Sequence, residues 1–323
     1  MLTLLVVVIG LTGALIFGAA DFLGGLASKR ISSIRVTAIA AVTGLIVLLL
    51  ALPLIGGEWS TEAILYGGLS GISGAGAIVL LYACLAIGPM SILSPLTAVV
   101  SAIVPMSAGL IRGELLEPLG YLAGGLALVA VVLVGFVPEK NAVRPSARAL
   151  AMATGSGALI GVFMILIDLT PDDSGLLPLI ANRSVNATIM VATIAVLALV
   201  AARRRANGTS RGLSSSRSER IETSAASNPT SDPSTMVAKT HSPHPWLSGL
   251  KLAIFCGLLD AVANSLMLLG LRLGELTIMS VLTAMYSAGT IILAAIVLKE
   301  RLTPSQIAGL VLALAAAAMF AVL

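Results

Sequence analysis

Arg112-Gly113-Glu114-Leu115-Leu116-Glu117-Pro118 returns 186 residues later as Leu298-Lys299-Glu300-Arg301-Leu302-Thr303-Pro304, with Glu, Leu and Pro in the same places. Extending outward at the same shift, residues 85–130 align with 271–316 without a gap and share 17 identities in 46 positions. Among them are Gly88/Gly274, Ser94/Ser280, Thr97/Thr283 and Ser101/Ser287. Leu and Ala coincide often in apolar sequence and carry little weight, but Glu–x–Leu–x–Pro is not explained that way. The chain is a duplication, and this decides the reading of its fold.

The duplicated segments are apolar. Over all 323 residues 58% are hydrophobic and 11% charged, with a mean hydropathy of +1.05. A soluble domain carries roughly 25% charged residues, so this composition excludes one of such size. Cys84 and Cys256 both lie in apolar runs, which excludes a secreted disulfide scaffold. A helix needs about 20 apolar residues to span a bilayer. Ten windows qualify, at 2–26, 34–55, 63–86, 90–111, 118–137, 148–168, 177–201, 247–271, 276–298 and 303–323. The first lacks a basic leader and is read as a retained helix rather than a signal peptide. Trp59 and Trp246 stand just outside apolar runs, where interfacial anchors sit.

The expected fold is an all-α integral membrane protein of ten transmembrane helices arranged as two five-helix repeats. Residues 1–137 form the first repeat, and 138–202 with 247–323 form the second. Between them, 203–246 is rich in Ser, Thr, Pro and Arg, cannot bury a core and is read as a disordered basic linker. It holds both histidines, His241 and His244, with no third ligand to complete a metal site. Because five is odd, the second repeat lies upside down relative to the first. Inverted repeats are the signature of secondary transporters, whose two near-equivalent halves rock about a central site.

The layout and the two turn-plus-helix segments resemble the EamA-type members of the drug/metabolite transporter superfamily. Glu300-Arg301-Leu302-Thr303-Pro304-Ser305-Gln306-Ile307-Ala308-Gly309 is similar to that family's GE-x-L-T/S-x-x-Q-x-x-G pattern, with Lys299 in place of Gly. The first copy departs at Glu117-Pro118-Leu119-Gly120, and the 203–246 insert departs from the usual compact layout. The resemblance implies a metabolite exporter with cytoplasmic termini. Charge points the other way. Numbering loops in order, the odd ones hold 16 of the 19 basic residues and the even ones only Arg112, Arg183 and Arg272. The positive-inside rule then puts odd loops in the cytoplasm and both termini outside.

Ionisable groups inside spans are the first site candidates, because each is costly unless it faces a cavity or a partner. Asp260 is central in the eighth span with Asn264 one turn along, and could hold an amine, a cation or a proton. Asp21, late in the first span, is either a second such group or an interfacial carboxylate near Lys29 and Arg30. Arg183, with Asn186 on its face, either binds an anionic group or snorkels to the interface. Tyr82 and Tyr286 could line a cavity or simply pack. Glu114 and Glu300, with Pro118 and Pro304, read as a structural motif at helix turns, the glutamates either capping a helix or pairing locally with Arg112, Lys299 or Arg301. Asp168, Asp172 and Asp173 read as a solvated turn. Pro95 and Pro105 should kink the fourth span. Gly67/Gly71, Gly120/Gly124 and Gly157/Gly161 mark expected close helix contacts.

No nucleotide loop, zinc motif or nucleophile elbow is present, so the chain is read as neither an enzyme nor cofactor-dependent, and as having no metal site. The expected protein is a multi-pass carrier of the cytoplasmic membrane, in contact with the lipid bilayer and a small-molecule substrate. A proton or cation is expected to couple transport. Nucleic acid is not a partner, and the chain works as a monomer or homodimer. Two other readings stay open: a membrane enzyme acting on lipid, and a sensor that docks a partner through the 203–246 linker.

Overall fold

The computed structural model describes residues 2–85, 87, 90–135, 145–215, 245–297, 299 and 302–322. They form eleven α-helices and one 3-10 turn, with no strand among the described residues. In chain order these are α1 (Leu2–Ser28), α2 (Ser33–Ile55), α3 (Thr61–Leu85), α4 (Met90–Ile111), α5 (Pro118–Gly135) and α6 (Ala147–Asp168). After the turn at Asp172–Ser174 come α7 (Leu177–Ser215), α8 (Pro245–Leu273), α9 (Leu276–Ala284), α10 (Tyr286–Val297) and α11 (Pro304–Ala321). Nine described segments are long and apolar enough to cross a membrane, with α9 and α10 together making one of them. The 22-residue α4 is the tenth. The chain is a multi-pass membrane protein, and Trp59 and Trp246 are both exposed at helix ends.

Helix starts follow local chemistry. Thr303 caps α11 in a capping box, its hydroxyl accepting from the Gln306 N–H while the Gln306 side chain accepts from the Thr303 N–H. Pro304 and Pro118 occupy the first position of α11 and α5, where a missing N–H costs nothing.

Helix pairing obeys the duplication. α1 lies along α8 as α6 lies along α3; α4 packs on α6 as α9 and α10 pack on α1; α3 packs on α7 as α2 packs on α8. The pairs α2–α7, α4–α9 and α5–α11 each join an element to its own repeat mate. Exchanging the halves therefore maps these principal pairs onto one another. Two four-helix bundles result, one of α1, α2, α8 and α9–α10, the other of α3, α4, α6 and α7. The α2–α7 and α4–α9 contacts form the seam between them, and α5 and α11 flank it.

Small residues set the closest approaches. A Cβ on Gly71 would stand 2.6 Å from the Asn182 carbonyl of α7, where the Asn182 amide donates to Ser70 Oγ at 2.8 Å. Gly157 and Gly161 meet α4 in the same close way. The third pair departs from expectation. A Cβ on Gly124 would meet nothing within 4 Å, because Gly120 and Gly124 line a cavity of about 160 Å³ with Met106, Thr277 and Phe320.

Two further expectations are corrected. The ninth span is broken, α9 ending at Ala284 and α10 beginning at Tyr286, with the Met285 N–H shared between the Leu282 and Thr283 carbonyls. That tightening is of the 3-10 kind. Its proline-bearing mate α4 runs unbroken from Met90 to Ile111 despite Pro95 and Pro105. Second, α7 does not stop at residue 202 but continues to Ser215. Arg and Ala are good helix formers, and lengthening an existing helix avoids the cost of nucleation.

Candidate functional site

Two charged residues within the spans, Arg183 and Asp260, meet across the two bundles. Asp260, near the middle of α8, forms an ion pair with Arg183 of α7, so the contact runs from one bundle to the other. The two side chains are 24% and 13% exposed. Arg183 therefore does not snorkel to the interface. Pairing inside the protein removes the desolvation cost that snorkelling would otherwise relieve.

Asp21 reaches the same place from α1, and a glycine puts it there. A Cβ on Gly18 would stand 2.6 Å from both the Thr290 N and the Tyr286 carbonyl of α10. Only a residue without a Cβ lets the backbones approach so closely. The Thr290 hydroxyl lies in hydrogen-bond reach of the Gly18 carbonyl at 3.2 Å. One turn beyond Asp21, a Cβ on Gly24 would meet Cys256 Sγ of α8 at 3.2 Å. Asp21 thus lies between α8 and α10, in electrostatic range of Asp260, Cys256 and Tyr286. Asp21 has no ion-pair or hydrogen-bond partner among the described residues. The interfacial alternative, a pairing with Lys29 or Arg30, is not formed.

The surrounding polar groups divide into tied and untied. The amide of buried Asn264 donates to the Asp260 backbone carbonyl at 2.7 Å, so it braces its own helix rather than the carboxylate. Asn186, one turn past Arg183, is buried and its Oδ1 has no partner. Arg183 Nε and Ser287 Oγ are likewise buried without partners. These atoms keep hydrogen-bonding capacity that a bound molecule can take up. Tyr286 borders the core beside Asp21. Tyr82 belongs to α3, but its side chain falls outside the described residues, as does the whole of Glu300.

Of its two readings, Glu114 takes the capping one, and the helix it caps belongs to the other repeat. Its two carboxylate oxygens accept from the backbone N–H groups of Leu276 at 3.0 Å and Thr277 at 2.9 Å, the first turn of α9 in the other half. A carboxylate there satisfies orphan donors and complements the helix dipole. Arg112 instead pairs with Asp168 at 2.6 Å, and Asp172 with Arg272 at 3.1 Å, so the acidic turn is not simply solvated. Arg272 escaped the sequence reading because a cation in the last turn of a helix is ordinary. No group of three or more metal-ligating side chains occurs among the described residues.

The EamA-like transporter family model matches residues 4–136 and 233–322. A comparison with curated proteins returns no match. A crystal structure of a protein 13% identical in sequence matches over 97% of this chain and 95% of its own, with a TM-score of 0.66, which is a likeness of fold. The family match covers both halves of the duplication and most of the described helices, and the chain accordingly belongs to the EamA-like transporter family.

Proposed function

We propose that this protein is a secondary active transporter that exports a small organic metabolite across the cytoplasmic membrane by alternating access between its two bundles. The observation that carries this reading is the Arg183–Asp260 ion pair between the bundles, with Asp21 of α1 in electrostatic range of Asp260. Ionisable groups are held at membrane depth when they serve a pathway, and transporters built from inverted repeats bind their cargo where the repeats meet. Arg183 pairs with Asp260 and Asp21 has no counter-charge bonded to it, so one negative charge is left over. A cationic group, either an ammonium of the solute or a coupling proton, balances it. Tyr286, Asn186 and Ser287 supply neutral hydrogen bonds, and Asn264 braces the backbone of α8 at Asp260. The excess of basic residues in the odd-numbered loops orients those loops toward the cytoplasm.

Purified full-length protein in liposomes, screened with labelled amines, amino acids and nucleobases with and without a pH gradient, tests this. Wild type should accumulate one class of solute in response to the gradient, and Asp21→Asn and Asp260→Asn should each abolish that response. Gradient-driven flux that survives both substitutions would remove these residues from the site. Absence of flux with every solute would remove transport of these classes.

A further inference from the structure

A second polar cluster lies away from the Asp21–Arg183–Asp260 site, where the even-numbered loops gather, and its contacts cross the same seam. Arg272, in the last turn of α8, is 13% exposed at its side chain and reaches into the turn after α6. Its guanidinium donates to the Thr170 carbonyl, to Thr170 Oγ1 at 2.6 Å and to Asp172 Oδ1 at 3.1 Å, with Ser174 Oγ at 3.4 Å. Thr170 and Ser174 are themselves buried. A guanidinium with four partners on one short turn is a directional clasp, because its fork geometry fixes the turn's orientation. The turn is seated in its own right, since Asp173 accepts from the Glu58 N–H at 2.8 Å.

The second clasp is Glu114. It follows α4 in one bundle and holds the first two N–H groups of α9 in the other. Beside it, the Thr277 hydroxyl donates to the Met106 carbonyl of α4 at 3.3 Å. Arg112 and Asp168, by contrast, join α4 to α6 within a single bundle and stiffen that side of the seam. Arg272 and Glu114 thus tie the bundles together at one membrane face, in two places, through charge-assisted hydrogen bonds. Such bonds are about twice as strong as neutral ones, and both must be surrendered if the bundles part there. A conformational change has to break a discrete set of contacts, and these are the ones in its way.

We propose that Arg272 and Glu114 are the gate residues of the even-loop face, holding it shut in the state described here. The gate rests on the alternating-access reading given above, and its role is in positioning the bundles rather than in touching the solute. Spin labels report it without any substrate. In a Cys84→Ser, Cys256→Ser background, Leu2→Cys on α1 and Leu169→Cys after α6 place one exposed label on each bundle at this face. Full-length protein in liposomes should show a short inter-label distance by pulsed electron resonance. Arg272→Gln should add a longer-distance population severalfold larger than any in the unsubstituted gate, and Glu114→Gln, which keeps one acceptor of two, a smaller one.

Thr277→Val, which removes only the hydroxyl bond to Met106, is a gentler probe should Arg272→Gln fail to fold. Unchanged distance distributions in variants that keep the parental thermal midpoint would overturn the gate. Solute flux in wild type with unchanged distances would overturn the gate alone. Shifted distances without flux of any solute would uphold the gate and count against the transport reading.

Discussion

Arg183 of α7 and Asp260 of α8 form an ion pair that crosses the seam between the two bundles. Each partner offsets the other's desolvation, so the pair is held in place by the cost of separating it. Removing one partner leaves a charge without compensation, whereas removing both leaves none. Arg183→Gln and Asp260→Asn should each shorten the half-life of the folded protein in detergent. The double variant should lose less than the sum, with a coupling of about 1–3 kcal/mol. Thermal inactivation of the four proteins checks this, and strict additivity would mean that the pair contributes nothing.

Asp21 presents the opposite case. It is a carboxylate in a span with no counter-charge bonded to it. Neutralising it removes a cost rather than a partner. Asp21→Asn should therefore keep or raise the thermal midpoint while abolishing the gradient response of transport. A loss of both stability and transport would make Asp21 a structural residue.

Much of this fold was legible in the sequence, and the reason is physical. Span length and apolarity are properties of a single segment, and so are the capping box at Thr303 and the helix-starting prolines. The duplication needed only comparison of the chain with itself. The Arg183–Asp260 pair was not legible, because it depends on which helices become neighbours, and each residue taken alone had a sufficient local explanation. The break at Met285 left no trace either. The copy with two prolines, α4, is continuous, while the copy without them is interrupted where α10 crosses Gly18 of α1. That Glu114 could cap a helix was legible, but which helix was not, since the N–H groups it accepts from lie in the other repeat.

The α1–α10 crossing gives a paired prediction about glycine. Gly18→Ala would drive a methyl against the Thr290 N and the Tyr286 carbonyl, backbone atoms that cannot step aside. Overpacking of that kind costs about 1–3 kcal/mol. Gly124→Ala faces open space on α5, and replacing a helical glycine by alanine there should stabilise by about 0.5–1 kcal/mol. Melting both variants beside wild type separates a glycine required by contact from one that is not. Equal effects would mean that the crossing tolerates a shift of α10.

Glu275, in the short turn between α8 and α9, carries a pH prediction. Burial is the main influence that raises its carboxyl above the usual range, and the neighbouring Glu114 carboxylate pushes the same way. One of its oxygens is buried without a partner. A carboxyl whose pKa is raised on folding binds more protons folded than unfolded, so its contribution favours the folded state fully below the unfolded value, about 4.3. That contribution is lost as pH rises through the raised value. Glu275→Gln keeps the shape and removes the titration. Wild type should therefore lose thermal stability relative to this variant as pH rises through the mildly acidic range, with the difference levelling off above the raised pKa. A constant gap between the two melting curves across that range would show that Glu275 does not titrate there. A gap that widens with pH, and that narrows without vanishing when Glu114→Gln is added, would separate the share of Glu114 from that of burial.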